Sequence, residues 1–221
     1  MHITKLPYDE FVKNVSALIS NSLSDNEIVD AMSNFGYDRN RIKMGEKLLN
    51  DTISSNQKQI EKQEKKIRLH KERAELQQSV KKKYMKILLI ARIAFDKDIL
   101  VKKALKLEGT REAALYLWID QISVFAGNLL SENTWLEMLN NYGIGRKEIQ
   151  SLSDDLVKLR VIADICELAK TQAKNETKEK QNNQKELQNW ISDFLKIAKI
   201  SLEDKPHLFE KLKSVNEGIS K

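Results

Sequence analysis

Residues 39–95 read RNRIKMGEKLLNDTISSNQKQIEKQEKKIRLHKERAELQQSVKKKYMKILLIARIAF. This segment contains no proline, and Gly45 is its only glycine. Residues 146–202 contain neither glycine nor proline. Because these two residue types interrupt helices most strongly, the sequence predicts two long helical segments, and these segments decide the fold.

Each long segment is compatible with two courses of the chain. In the first segment an apolar series at near-heptad spacing predicts a narrow supercoiled seam, which consists of Ile42, Leu49, Ile53, Ile60, Ile67 and Ala74. Beyond residue 76 the apolar face shifts, which permits a turn near residues 72–79. In the second segment Asn182 and Asn183 lie in a polar stretch and permit a hairpin tip. The absence of glycine and proline from the middle of both segments favours continuous helices over helical hairpins.

The chain also repeats itself at a constant offset of 107 residues. Identical pairs include Ser24 and Ser131, Asn34 and Asn141, Gly36 and Gly143, Arg39 and Arg146, Ile42 and Ile149, and Ile90 and Ile197. Changed positions mostly stay apolar, as where Phe11 corresponds to Trp118. We therefore expect an all-α protein of two tandem pseudo-symmetric units, residues 1–108 and 109–221, each with two short helices and one long helix or helical hairpin of the coiled-coil or four-helix-bundle type.

Composition supports helices and restricts the cellular location. Charged residues make up 32% of the chain and aromatic residues only 6%, which is typical of long helices and not of sheets. The single cysteine, Cys166, has no internal disulfide partner and lies at helical spacing from apolar residues, so we expect a buried thiol. Neither a signal-peptide core nor an apolar run long enough to span a membrane is found, and a cytoplasmic location is expected.

The sequence offers little material for catalysis. The three histidines, His2, His70 and His207, lie in unrelated contexts, and no Glu-x-x-His pair of the kind that binds two metal ions in helical bundles occurs. A glycine-rich loop that would bind phosphate is also absent. We therefore expect a non-enzymatic protein without catalytic residues, cofactor or metal.

Two groups of motifs carry a resemblance to other proteins. They are Tyr142-Gly143-Ile144 followed by Arg146 and Ile149, and Trp190 with Asp193-Phe194, followed by Ile197-Ala198-Lys199-Ile200 and Glu203-Asp204-Lys205-Pro206-His207-Leu208. With these motifs the chain resembles a family of uncharacterised bacterial proteins built from tandem helical bundles. The resemblance implies paired helical bundles, and it implies no activity because none is assigned to that family.

The positive charge is concentrated in one segment. Residues 58–86 hold eleven lysines and arginines against four glutamates, a local net charge of +7, whereas the matching window 165–193 is neutral. At 100° per residue one stripe of this segment is basic and is a candidate contact for nucleic acid or another anionic surface; it consists of Lys58, Lys62, Lys65, Lys66 and Arg73. The alternative is the solvated back of a coiled coil, because glutamates stand at ion-pairing distance along the same helix.

Trp190 and Asp193 form a second candidate site, because their repeat partners are Lys83 and Lys86. An indole in one copy only either covers the interface between the copies or lies on a surface that binds another chain. With no reactive constellation, the first hypothesis is an interaction or scaffold protein made of duplicated helical bundles, which binds a protein partner or associates with itself. The second hypothesis is a nucleic-acid-binding protein that uses the basic stripe of residues 58–86.

Overall fold

The computed structural model describes residues 3–214, with the exception of the Thr4 side chain. A short 3-10 helix, Ile3–Lys5, comes first, and the described part of the chain otherwise forms α-helices joined by loops, without a strand. The helices are α1 (Tyr8–Ser24), α2 (Asn26–Ser33), α3 (Arg39–Ala94), α4 (Ile99–Ala104), α5 (Leu115–Ser131), α6 (Asn133–Asn140), α7 (Arg146–Ser201) and α8 (Pro206–Lys213). The prediction of an all-α fold is confirmed.

Helices α3 and α7 are each 56 residues long and continuous. Residues 72–79 lie inside α3, and Asn182 and Asn183 lie inside α7, so the hairpin alternative is wrong for both segments. The first and last residues of α5, α6 and α7 stand 107 positions after those of α1, α2 and α3.

The chain forms two compact units whose composition differs from a division of the sequence at residue 108. Unit 1 combines the residues up to Gln63 with those from Gln172 onward, and unit 2 is Glu64–Thr171. Each unit therefore contains part of α3 and part of α7, together with short helices. The predicted division at residue 108 describes the sequence repeat, whereas the compact units mix helices of both copies.

In unit 1 the first part of α3 runs antiparallel to the last part of α7. The Thr52 hydroxyl donates to the Asn183 carbonyl oxygen at 3.2 Å, and Gly45, earlier on α3, faces Trp190, later on α7. Helices α1, α2 and α8 cover this pair, and the Asn21 amide donates to the carbonyl oxygens of residues 211, 212 and 214 at the end of α8. The core includes Phe11, Leu18, Ile28, Ile42, Leu187, Ile191, Phe194 and Leu208.

Unit 2 has the corresponding arrangement. The last part of α3 runs antiparallel to the first part of α7. Lys83 forms an ion pair with Asp155 at 2.5 Å, and Arg73, earlier on α3, lies near Cys166, later on α7. The Asn128 amide on α5 donates to the Ala104 carbonyl oxygen at the end of α4, at 2.9 Å. The core includes Tyr84, Ile87, Ala91, Phe125, Leu139, Ile149, Leu156 and Cys166.

The predicted seam of α3 is correct at its start and wrong in its middle. Ile42 and Leu49 are buried, but Ile60 and Ile67 are 46% and 65% exposed. The buried residues Ile42 and Tyr84 are separated by a whole number of heptads, and they fix the phase of the packed face along a continuous helix. Ile60 and Ile67 are out of this phase, so polar side chains occupy the packed face between the two apolar ends.

Candidate functional site

Exposed large apolar side chains are distributed unevenly between the two units. Among the described residues unit 1 exposes four of them and unit 2 exposes fourteen. Scattered single apolar residues are normal on protein surfaces, whereas contiguous groups mark contact sites. The positions in unit 2 therefore decide whether it carries such a site.

One group forms a stripe along the first part of α7, which we call the α7 stripe. It consists of Val157, Val161, Ile165 and Leu168. Val157, Val161 and Leu168 are 63%, 53% and 64% exposed, although each is large and apolar. At 100° per residue they fall within about 40° of one another, opposite the face that packs into the core. The stripe is thus an apolar face without a partner among residues 3–214.

The same positions are polar in the first copy. The residues 107 positions earlier, on α3, are Asn50, Ser54, Lys58 and Glu61. A helix of this length and register therefore forms without apolar residues at these positions. The apolar character of the α7 stripe is a property of unit 2 alone.

Helix α5 lies along one edge of the α7 stripe. The Tyr116 hydroxyl donates to an Asp164 carboxylate oxygen at 2.8 Å, and this hydrogen bond raises the pKa of Tyr116. One turn away along each helix, Arg160 forms an ion pair with Asp120. On α5 the neighbouring Leu117 and Val124 are also exposed. Their counterparts in the first copy are Glu10 and Ala17.

A second exposed apolar group surrounds the loop between α3 and α4. Ile93, Ile99, Leu100 and Met138 line a groove of about 680 Å³, and Leu100 is 79% exposed. The residues of unit 1 that correspond to Ile99, Leu100 and Met138 are Pro206, His207 and Ala31. We call this group the α4 groove. It is the second surface by which unit 2 differs from unit 1.

Trp190, the first candidate interface residue, packs inside unit 1. Its indole stacks on Phe194 with ring centroids 5.0 Å apart and lies 6.2 Å from the ring of Tyr37. A Cβ added at Gly45 would overlap the indole, so this helical glycine makes room for the ring. Trp190 of the second copy therefore contacts α3 of the first copy. Asp193, its companion, is exposed and forms an ion pair with Lys196 at 3.0 Å.

Lys83 occupies the position of Trp190 in unit 2. Its ammonium group pairs with Asp155 and donates to the Ser151 hydroxyl at 3.0 Å. Unit 2 has no aromatic cluster at this place and instead has a cavity of about 250 Å³. The cavity is lined by Lys83, Lys86, Lys147, Glu148, Ser151 and two isoleucines. Asp155 already neutralises one of the three lysines.

The five residues of the predicted basic stripe differ in their surroundings. Lys58 and Lys62 belong to unit 1, and Lys65, Lys66 and Arg73 belong to unit 2. Lys58 and Lys65 are exposed, whereas the other three are half-buried on the packed face of α3. The Arg73 Nε atom is buried without a hydrogen-bond partner in the described structure. Long basic side chains can cover apolar surface with their methylene stems, which is a packing role.

Groups that could bind a metal or act as a nucleophile do not converge. Within residues 3–214 no three histidine, cysteine or acidic side chains lie close enough to hold a metal ion. Cys166 is buried, as expected from the sequence, and burial raises the pKa of its thiol. A raised pKa keeps the thiol protonated and unreactive.

Sequence reasoning identified neither the α7 stripe nor the α4 groove. The signal was available, because the two copies can be compared position by position, and Ser54 against Val161 or His207 against Leu100 is a change from polar to apolar. These differences indicate a binding surface only if it is known which face of each helix points to solvent. That face follows only from the phase of the core.

Comparisons with known proteins add no assignment. No helix within residues 3–214 combines the length and the apolarity needed to cross a membrane. The chain matches no protein-family model, and no curated protein or solved structure is similar to it.

Proposed function

We propose that the protein is a non-enzymatic interaction protein that binds another protein chain through the exposed apolar surfaces of unit 2. The observation that carries the proposal is the exposure of Val157, Val161 and Leu168 at positions where the first copy has Asn50, Ser54 and Glu61. Burying apolar surface drives most protein association, and a contiguous exposed stripe is a typical contact site. The described residues of unit 1 form no such stripe.

We infer in addition that the chain is a pseudo-symmetric duplication of one helical unit. The sequence repeat and the constant offset of the helix boundaries support this inference. Asn21 and Asn128 are repeat partners, and each donates a hydrogen bond to the end of the short helix that closes its unit. One compact unit is then free to acquire exposed apolar surfaces while the other keeps polar side chains at the corresponding positions.

A photo-crosslinking amino acid placed at Val161 or at Leu100 tests the proposed function. The full-length protein is expressed in the cells that naturally produce it, irradiated, and analysed for covalent adducts. We expect a discrete polypeptide adduct from at least one of these positions. The captured chain is then purified and its affinity measured against the variants Val161→Ser and Leu100→His, which carry the residues of the other copy.

The matched control positions are Ser54 and His207, the repeat partners of the two probe sites. They are expected to give no adduct of that polypeptide. The proposal predicts that Val161→Ser or Leu100→His raises the dissociation constant by about tenfold or more, because a contact residue in a buried interface is lost. Equal labelling from the control positions, or unchanged affinity in both variants, would contradict it.

Nucleic-acid binding is the second candidate, and the exposed residues Lys58 and Lys65 favour it. It predicts a mobility shift that weakens steeply with salt, since each neutralised phosphate releases counterions. The triple variant Lys62→Glu, Lys65→Glu and Lys66→Glu would abolish that shift. Unchanged nucleic-acid affinity in this variant would remove the basic stripe from consideration.

A further inference from the structure

The α7 stripe has the length and shape of a helix-pairing seam. Val157 and Leu168 lie about 16 Å apart along α7 at 1.5 Å per residue, and Val161 and Ile165 fill the interval. Side chains at successive four-residue and three-residue steps are those that meet a second helix. A stripe of this kind is complementary to another helix.

The charges beside the stripe distinguish the possible occupants. On the edge next to α5, Arg160 comes first along α7, and the acids Asp164 and Glu167 follow. The opposite edge carries Asp154 and Lys158. These five groups sum to a net charge of −1, which opposes docking on an anionic lipid surface or on nucleic acid. A protein helix is the occupant that fits.

A second copy of the same stripe satisfies both the apolar and the charged groups when it runs antiparallel. In that orientation Val157 faces Leu168 of the other copy, and Val161 faces Ile165. Arg160 then faces Glu167 of the other copy, because an antiparallel pair brings the same edge of both stripes together. A parallel pair would instead place Arg160 beside Lys158 of the other copy, on the opposite edge. Charges flanking a helical seam select the partner and its orientation in this way.

We propose that two copies of the chain associate through their α7 stripes in antiparallel orientation, with Arg160 of each copy facing Glu167 of the other. This inference rests on the proposed function and names a second copy as the partner. Arg160 also pairs with Asp120 of its own chain, and Tyr116 engages Asp164, so α5 holds this edge of the seam in place.

Sedimentation and light scattering of the full-length protein at micromolar concentrations test the association. We expect a dimer, and we expect a monomer for Val161→Ser combined with Leu168→Glu, which introduces the residues of the first copy. The matched control, Ser54→Ala with Glu61→Ala, alters the same positions of the first copy and is expected to remain a dimer. A monomeric unmodified protein, or a dimeric stripe variant, would overturn the proposal.

Charge exchange tests the facing residues. Glu167→Arg and Arg160→Glu are each expected to raise the dimer dissociation constant by about tenfold, because like charges then face each other. The double variant carrying both changes is expected to return to within about threefold of the unmodified value. Residues 160 and 167 are two turns apart on one helix, and their ion-pair partners within the chain are Asp120 and Lys170. The double variant does not restore these two pairs, so recovery of association requires contact between chains. Failure of the double variant to restore association would overturn the assigned orientation.

Disulfide trapping reports the orientation independently. A mixture of Val157→Cys and Leu168→Cys chains is expected to form a mixed disulfide, whereas Val157→Cys alone is expected to form none. The native Cys166 is buried and does not compete. A disulfide between two Val157→Cys chains would identify a parallel pair and contradict the proposal.

The two proposals fail separately. A monomeric protein whose residue 161 crosslinks to a different polypeptide would end the self-association proposal and leave the interaction function standing. A monomeric protein without adducts from residues 161 and 100 would end both.

Discussion

Gly45 and Trp190 in unit 1 occupy the repeat positions of Leu152 and Lys83 in unit 2. In unit 1 the smallest side chain faces the largest one. In unit 2 a buried leucine lies on the packed face, and the flexible lysine reaches out to Asp155. Both positions differ in side-chain volume between the units, and the contact between Gly45 and Trp190 shows that the first part of α3 and the last part of α7 are packing partners. A local pattern within one copy cannot reveal such a pair.

Among the substitutions that test this difference between the units, removal of the Trp190 indole is expected to lower the stability most. Trp190→Ala should lower the free energy of unfolding by about 3 kcal/mol, because it removes a large half-buried ring that contacts Phe194. Lys83→Ala, the matched change in unit 2, should cost less than about 1 kcal/mol, since a partly exposed ion pair contributes little. Urea unfolding gives the energies, and hydrogen exchange followed by mass spectrometry assigns the loss to a unit.

Trp190→Phe distinguishes the contribution of the aromatic ring to stability from that of the indole N–H group. The indole Nε1 atom is buried without a hydrogen-bond partner in the described structure, so replacing it removes an unsatisfied donor. Phenylalanine should therefore retain most of the stability that alanine loses. Equal losses for Trp190→Ala and Lys83→Ala would show that the two units do not differ at this position.

Substitution of Gly45 is expected to have the next largest effect on stability. Gly45→Leu introduces the residue of unit 2 and should cost about 2 kcal/mol, because the added side chain overlaps the indole and outweighs the gain in helix propensity. Adding Trp190→Lys to this variant recreates the pair of unit 2 and should recover part of the loss. A double-mutant cycle measures the coupling, and additive single effects would contradict direct contact.

The long helices could be predicted because their signal is local. Helix α3 lacks proline and contains one glycine, and α7 lacks both, so nothing in either segment interrupts hydrogen bonding along the backbone. The two segments differ in sequence, yet both lack glycine and proline in their middle, and this shared feature indicates that neither contains a turn. The end of α2 also has a local signal, because Gly36 follows the helix and adopts a positive φ of 78°, which glycine accepts without strain.

The packed face in the middle of α3 could not be predicted in the same way. Ile60 and Ile67 offered an apolar pattern, but the phase is set by the clusters at both ends of the helix, which bury Ile42 and Tyr84. Between these ends half-buried side chains such as Lys66 occupy the packed face. The packed face in the middle of a continuous helix is therefore determined by the contacts at its ends, because the middle cannot turn another face inward without a break in the helix.

The composition of the compact units was hidden for a related reason. The units combine helices from both halves of the sequence. Only contacts between residues far apart in the chain, such as Asn21 with the end of α8, reveal this combination. The role of Trp190 followed from the same contacts. Its odd position was visible in the sequence, but its partner, Gly45, lies on the other copy.

The smallest expected effect concerns the caps of the short helices. At the start of α2 the Asp25 carboxylate accepts hydrogen bonds from the backbone N–H groups of Glu27 and Ile28 at 2.9 and 3.4 Å. It also accepts one from Lys211 at 2.7 Å. Its counterpart in unit 2, Glu132, makes no side-chain cap. Asp25→Ala should cost about 1 kcal/mol, and Glu132→Ala should stay within about 0.5 kcal/mol of the unmodified protein.

The pH dependence of the Asp25 effect separates the charge from the cap. The hydrogen bond from Lys211 is the main reason that the pKa of Asp25 lies below its ordinary value of 3.8. A group whose pKa is lower in the folded state stabilises the fold above its ordinary pKa, and the stabilisation disappears as the pH falls through the folded value. The cost of Asp25→Ala should therefore shrink in acid, as urea unfolding at neutral and acidic pH would measure. Asp25→Asn keeps an acceptor for the cap and loses the charge, so it should cost less than Asp25→Ala at neutral pH, and its cost should approach zero in acid, where Asp25 itself is protonated. A cost of Asp25→Ala that is constant with pH would assign the whole effect to the neutral cap.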